Sequence, residues 1–277
     1  MTKNYIKKAK EIKLDKRSYY LRSLILNCFQ SEKRGHIGPA LSIIEILRVI
    51  YDDYIKKNKR KYKFILSKGH GCLALYSLLY DYGYIKKKDL TSYGTLNGIL
   101  GGHPEHDKIK GVELSTGSLG HGFPIGVGMA IANKILKKKN FFFVLVGDGE
   151  MNEGSMWEAM MSASKHKLDN LILLIDYNKL QSYDFIKEVL DLEPLSQKLT
   201  SFGFLTEQVN GHDILDLNKK IKKLINIKKK PKAIICHTVK GKGIPVAEYN
   251  PTWHHKSPIS KDDMKMMQII FEKNKFE

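Results

Sequence analysis

A chain of 277 residues, 42% hydrophobic and 27% charged, can bury a full α/β core and is too rich in apolar residues for a disordered segment. Its formal net charge of +18 comes almost entirely from lysine, with Arg confined to Arg17, Arg22, Arg34, Arg48 and Arg60. Lysines spread over connections and helix faces, with no zinc finger, RNA-recognition signature or helix-turn-helix pattern, argue for solvated surface rather than a nucleic-acid groove, which favours Arg forks.

No composition break or Gly/Ser/Pro-rich linker divides the sequence, so residues 1–277 are expected to form one domain, with 1–13 as a basic lead-in. Leu14 to Gln30 carries Leu21, Leu24, Ile25, Cys28 and Phe29 at helical spacing. The loop Arg34-Gly35-His36-Ile37-Gly38-Pro39 then enters a helix expected over Leu41 to Tyr54, with Ser42 as N-cap and Glu45 completing a capping box. His36, between glycines, reads equally well as an inward-pointing group or a surface residue. Lys63 to Leu66 reads as a short strand ending in Ser67-Lys68-Gly69-His70-Gly71, with a helix over Cys72 to Tyr82. At such a strand-to-helix turn His70 can donate to a phosphate, aided by the helix amides; it can also simply cap the helix. A Gly-rich, non-periodic region starts at Leu90 and holds His103-Pro104-Glu105-His106, with His103 the more interesting imidazole. Residues Glu113 to Gly128, ELSTGSLGHGFPIGVG, form a loop that lets a ring or phosphate approach the backbone, before a helix running to Lys139. Their glycine spacing does not match a dinucleotide fingerprint.

Phe141 to Val146 is an apolar run too short for a buried helix and suited to a strand buried on both faces of a parallel sheet. It stops at Gly147-Asp148-Gly149, which places Asp148 at a strand's carboxyl end, where open α/β sheets bind ligands. A helix over Ser155 to Lys167 and a second buried strand, Leu171 to Asp176, follow, and Asn178 lies just past that strand's end. A carboxylate and an amide oxygen at neighbouring strand tips are hard ligands suited to Mg²⁺, which keeps part of its shell for phosphates. Glu153, at the start of the helix, would also complement the helix dipole. Residues 181–192 read as a loop, Pro194 to Phe202 as a helix, Thr206 to Val209 as a strand, and Ile214 to Asn226 as a helix capped by Asp213, with His212 structural. Lys232 to Thr238 is another buried strand; residues 240–260, with Lys240 to Pro245 and Trp253-His254-His255-Lys256, face the same crevice. The last helix, Lys261 to Lys273, has a Met-rich face for core or subunit contact. Cys28, Cys72 and Cys236 lack metal or disulfide spacing, as in a reducing compartment. The absence of an apolar signal core and of eighteen uninterrupted apolar residues points to a cytoplasmic protein with no membrane span.

GDG followed one β-α-β unit later by Asn resembles the thiamine-diphosphate signature. The segments RGHIGPALSIIEIL, LSKGHGCLALYSLLYDYGY, GGHPEH, STGSLGHGFPIGVGMAIA, GDGEMNEGSMWEA and TVKGKGIPVAEYNPTWHHKSP, in that order, resemble the N-terminal, diphosphate-binding half of transketolase. The resemblance implies an α/β fold with a parallel sheet flanked by helices, thiamine diphosphate as cofactor, and Mg²⁺ (with Ca²⁺ or Mn²⁺ as substitutes) held by Asp148, Asn178 and the Leu180 carbonyl. It assigns His70, Gly147, Gly149 and His254 to the cofactor, and Gly117, Ser118 and Leu119 to its rings. His36, His103 and His254 would surround the reacting carbons and substrate hydroxyls, and Glu153 would reach towards an acid of a partner chain. His121 stands where the family often has Gln or Ala, and His255 where it usually has Gly, which opens the choice between His254 and His255; register favours His254.

Transketolases continue into a domain that carries the cofactor-activating Glu, whereas this sequence stops at Glu277. The resemblance therefore implies the N-terminal subunit of a split transketolase, inactive without a separate C-terminal subunit that supplies that Glu, in an α₂β₂ assembly. The expected reaction moves a two-carbon ketol unit from a ketose phosphate to an aldose acceptor. Alternatives are an unusual, nucleotide-linked acceptor sugar, a 2-oxo-acid-decarboxylating subunit or a 1-deoxyxylulose-phosphate-synthase-like enzyme, and a basic nucleic-acid-binding protein on the same scaffold.

Overall fold

The computed structural model describes residues 2–274. Five strands, β1 (Tyr62–Leu66), β2 (Phe141–Gly147), β3 (Leu171–Tyr177), β4 (Leu205–Asn210) and β5 (Lys232–His237), form one sheet in the order β1-β2-β3-β5-β4, every pair parallel. The expected fold class, a parallel sheet flanked by helices, is the one observed. The helices are α1 (Thr2–Glu11), α2 (Lys16–Ile25), α3 (Ile37–Leu41), α4 (Ile44–Ile50), α5 (Cys72–Asp81), α6 (Lys87–Thr91), α7 (Gly122–Ile135), α8 (Gly154–Lys165), α9 (Ile186–Leu190), α10 (Leu195–Ser201), α11 (Ile214–Ile225) and α12 (Lys261–Lys273).

The apolar run of β2 is explained by its two covered faces. Phe141, Phe143 and Leu145 join a core with residues of α2, α4, α5 and α11, while Phe142, Val144 and Val146 join a second core with residues of α7, α8 and α10. Alternating side chains of one strand thus feed opposite layers, and each central strand is apolar throughout. Among the described residues no helix is long and apolar enough to cross a membrane.

Several local expectations are corrected. The helix read over Leu41 to Tyr54 is divided: α3 ends at Leu41, α4 begins at Ile44, and a π-helical turn covers Tyr51–Ile55. Ser42 is not an N-cap. It closes α3, and its hydroxyl donates to Asp176 Oδ2 at 2.7 Å. Glu45 cannot complete a capping box, because its carboxylate is taken by Arg22 and His212. Residues 181–192 are not all loop, since α9 lies within them, and Leu90 is buried in the short α6 rather than opening an irregular region. The helix expected to reach Lys139 stops at Ile135, with Lys137 in the left-handed region at φ 52°. Asp213 caps α11 as expected, accepting from Asp216 N at 3.0 Å. The three cysteines are free and buried.

Candidate functional site

Gly147, the last residue of β2, pairs in register with Asp176 of β3, so the two strand tips are neighbours and point the same way. Just beyond them, Asp148 Oδ1 accepts from Gly149 N at 2.9 Å and Oδ2 from Lys179 N at 2.6 Å. The Asn178 side chain is oriented at both ends: its Nδ2 donates to Asp176 Oδ2 at 2.9 Å, and its Oδ1 accepts from Leu180 N at 3.0 Å. Asp148, Asn178 and Leu180 are all buried, and all three line one cavity of about 580 Å³.

Under this cavity lies a polar layer. Asp176 accepts from Lys68 Nζ at 2.5 Å and from the Ser42 and Thr238 hydroxyls. Lys240 Nζ donates to the carbonyls of Leu180 and Gln181, both at 2.9 Å. Glu150 joins three loops, accepting from Ser67 Oγ at 2.5 Å, Gly120 N at 3.1 Å and Gly147 N at 3.3 Å. Each of these buried polar groups is thereby partnered, which keeps the strand tips fixed.

Four imidazoles gather at the mouth. The His36 ring lies 5.5 Å from His70, 6.0 Å from His103 and 5.3 Å from His254. They come from four distant places: the loop before α3, the 3₁₀ turn Gly69–Gly71 that leads into α5, the irregular segment after α6, and the end of the 3₁₀ turn Pro251–Trp253. Gly117 has no side chain for a reason: a Cβ there would lie 3.1 Å from His103 Cγ. His36, His70, His103, Gly117, Leu119, Gly147, Gly149, Glu153 and His254 all line the cavity with Asp148, Asn178 and Leu180. Ser118 is exposed and not part of that lining. Glu153 is exposed at the rim, as the backbone N-cap of α8. Of the adjacent pair, His254 lines this cavity, while His255 is exposed and lines a neighbouring one.

The electrostatics divide the site in two. Burial, followed by the nearby His255 and His103, pushes His36 down to about 4; burial also holds His70 and His254 well below the usual imidazole value. These rings are therefore neutral at pH 7, able to accept as well as donate a proton. Burial pushes the Asp148 carboxyl up to about 6, with the Asp176 carboxylate adding to the effect and Lys240 opposing it. Burial would raise Asp176 as well, but the Lys68 ammonium and the hydroxyl donors hold it below the usual range. Asp148 is thus a buried charge with incomplete compensation, beside an amide oxygen and a main-chain carbonyl: an all-oxygen donor set suited to a hard divalent cation. Among the described residues no group of three or more His, Cys, Asp or Glu could hold a metal, so any ion here would be held by this mixed set.

His212 and His106 have structural partners. His212 Nε2 accepts from Val239 N at 2.9 Å, so its proton sits on Nδ1, which donates to Glu45 at 2.7 Å. His106 Nδ1 contacts the Val112 carbonyl at 2.6 Å. Sequence reasoning assigned no role to Lys68, Lys240, Glu150 or Asp176. Lys68 and Lys240 had a usable signal, each a lysine beside glycine just past the carboxyl end of a buried strand; Asp176 read as the last residue of a strand.

The family described as "Transketolase, thiamine diphosphate binding domain" matches residues 15–277. One of the two chains of an apulose-4-phosphate transketolase from Actinobacillus succinogenes is 40% identical over 258 residues, covering 91% of this chain and 90% of that protein. A 6-deoxy-6-sulfo-D-fructose transketolase subunit from Clostridium sp. is 34% identical over 244 residues, covering 86% of this chain and 89% of that protein. The solved transketolase of Campylobacter jejuni superposes with a TM-score of 0.85 at 30% identity, over 93% of this chain. This chain spans 42% of that solved one.

Proposed function

We propose, on the premise that the chain belongs to the transketolase family through its thiamine-diphosphate-binding domain, that it is the diphosphate-binding subunit of a two-chain transketolase. The observation that carries this reading is the single cavity lined by Asp148, Asn178, Leu180 and four histidines. Its near full-length relatives are named as transketolase subunits, which supports a separate partner chain.

In this reading Asp148, Asn178 and the Leu180 carbonyl hold Mg²⁺. His70, Gly149 and the buried cations Lys68 and Lys240 offset the charge of the cofactor diphosphate. Gly117 and Leu119 leave room for its rings, with Ser118 at the edge. Bound thiamine diphosphate supplies a carbon nucleophile and electron sink for cleaving the bond beside a ketone. His36, His103 and His254 bind the sugar hydroxyls and, being neutral, take up and return protons there. Glu153 faces an acid of the partner chain, and that chain brings the Glu that activates the cofactor in an α₂β₂ assembly. The donor is a ketose phosphate and the acceptor an aldose. A second reading, a less common sugar as substrate, is favoured by the relatives named for apulose 4-phosphate and 6-deoxy-6-sulfofructose.

Purification from the native source should bring down a second chain. The pair, with thiamine diphosphate and Mg²⁺, should transfer two carbons from xylulose 5-phosphate to ribose 5-phosphate. Cofactor binding without this transfer would favour the second reading. No cofactor binding, or full turnover by this chain alone, would overturn the proposal.

A further inference from the structure

We propose that the cavity beside the four histidines is a subsite for an anionic group, carboxylate or phosphate, on the sugar acceptor, with Arg34 and His255 as its specificity-determining residues. The inference rests on the transketolase reading for the word acceptor. The anion site itself rests on geometry alone.

The cavity holds about 420 Å³ and shares His36 and His103 with the larger cavity, so a molecule can lie across both. Its far side carries Arg34, Lys108 and His255. One piece of backbone pairing builds it: Gly35 N donates to the Lys256 carbonyl and Lys256 N to the Gly35 carbonyl, each at 3.0 Å. A third bond, from Ile259 N to the Lys33 carbonyl at 2.6 Å, extends the clamp. The pairing holds residues 34–36 alongside 255–257. It leaves the His255 ring 4.6 Å from the His36 ring, nearer than any other imidazole in the cluster. Gly35 is required inside it, since a Cβ would press on Phe29 at 3.1 Å and Leu73 at 3.3 Å.

Arg34 is poised for a ligand. Its Nε pairs with Glu32 at 3.4 Å, and neither terminal nitrogen hydrogen-bonds to another described residue. A guanidinium with two free terminal nitrogens matches the fork of a carboxylate or phosphate. Lys108 is already engaged by Glu105 at 2.8 Å and adds positive field rather than a free donor. The Glu105 carboxylate, also on the cavity wall, works against an anion, so Arg34 must carry the recognition. His255 stands between Arg34 and His36 in function: an anion held by Arg34 brings the rest of the sugar past His255 to the reacting histidines.

The first test needs no partner chain. The full-length protein, with thiamine diphosphate and Mg²⁺ filling the larger cavity, is titrated with inorganic phosphate while the imidazole resonances are followed. Saturable shifts at His255 and His36, with an affinity about tenfold or more weaker in Arg34→Ala, are expected for the loss of a charge-assisted pair. Absent shifts, or an unchanged affinity in Arg34→Ala, overturn the subsite. Calorimetry on the same sample reports thiamine diphosphate binding separately. If the cofactor fails to bind, the proposed function falls while the Arg34 comparison, repeated without cofactor, still decides the anion site. The second test uses the reconstituted pair with an aldose, its phosphate ester and its uronate. Arg34→Ala and His255→Gly should raise KM for the charged acceptors about tenfold or more, with a clearly smaller loss for the neutral one. The phosphate and uronate arms show which anion is preferred. Equal losses on all three acceptors overturn the proposal.

Discussion

Lys68 Nζ lies 2.5 Å from Asp176 Oδ2 with both side chains almost completely out of solvent, directly beneath the cavity. The pair comes from the end of β1 and the end of β3, strands that do not touch each other, with β2 between them. Asp176 also receives the Asn178 amide, so a buried ion pair sets the direction of a cavity-lining oxygen.

Lys68→Met should therefore be costly. Removing one member of a buried pair leaves an uncompensated charge, typically at about 3–5 kcal/mol. Urea denaturation followed by tryptophan fluorescence measures it. A loss below about 1 kcal/mol would mean that Asp176 is neutral in the folded protein and that the pair does not anchor the site.

Asp148→Ala should separate folding from ligand binding. The carboxylate is buried with incomplete compensation, so its removal should leave the ligand-free thermal midpoint within a few degrees, equivalent to less than about 1 kcal/mol for a chain of this size. Mg²⁺-dependent thiamine diphosphate binding should vanish in calorimetry. Retained binding would count against Asp148 as a metal ligand.

Acid should destabilise the protein before its carboxylates protonate. His36, His70, His254 and His212 all have folded-state values below the ordinary imidazole value of about 6.5. Below that pH the unfolded chain binds more protons than the folded one. Their contribution is complete above about 6.5 and is lost as pH falls towards the folded values. For Glu45, burial acts to raise the value, but Arg22 and His212 hold it well below the usual range, which extends the same trend under pH 4.5, the unperturbed value. The thermal midpoint should be lower at pH 5 than at pH 8; a flat profile would contradict neutral, buried imidazoles.

His254→Ala should lower kcat of the reconstituted pair by about 10²-fold or more, in the range of a lost general acid–base group. The thiamine diphosphate affinity should change little, because the diphosphate contacts proposed at His70, Lys68 and Lys240 remain. Equal loss in His255→Ala would show that the register argument had chosen one of two equivalent residues.

Much of this architecture was legible in the residues. Uninterrupted apolar runs over Phe141–Val146 and Leu171–Ile175 can only be satisfied by strands covered on both faces, and the glycine-flanked Asp148 marks where such a strand stops. His36, His70, His103 and His254 could be singled out because glycine, proline or irregular spacing freed each from a helix or strand face. Local rules failed where a distant partner claimed the same atoms. Ser42 and Glu45 have the spacing of a capping box, yet their oxygens bond to Asp176, Arg22 and His212, far away in sequence. A hydroxyl or carboxylate caps a helix only when nothing better reaches it, and no window of sequence contains that information.

The parallel sheet, the strand tip at Asp148 and the family could all be read before any fold was seen, because hydrophobic period and glycine placement act over a few residues. Three relationships needed the folded chain: Lys68 pairs with Asp176, Lys240 reaches the Leu180 carbonyl, and His254 and His255 part to two cavities. Each depends on segments far apart in the chain, brought together because a buried charge or polar atom must find a partner wherever the packing of the whole molecule places one.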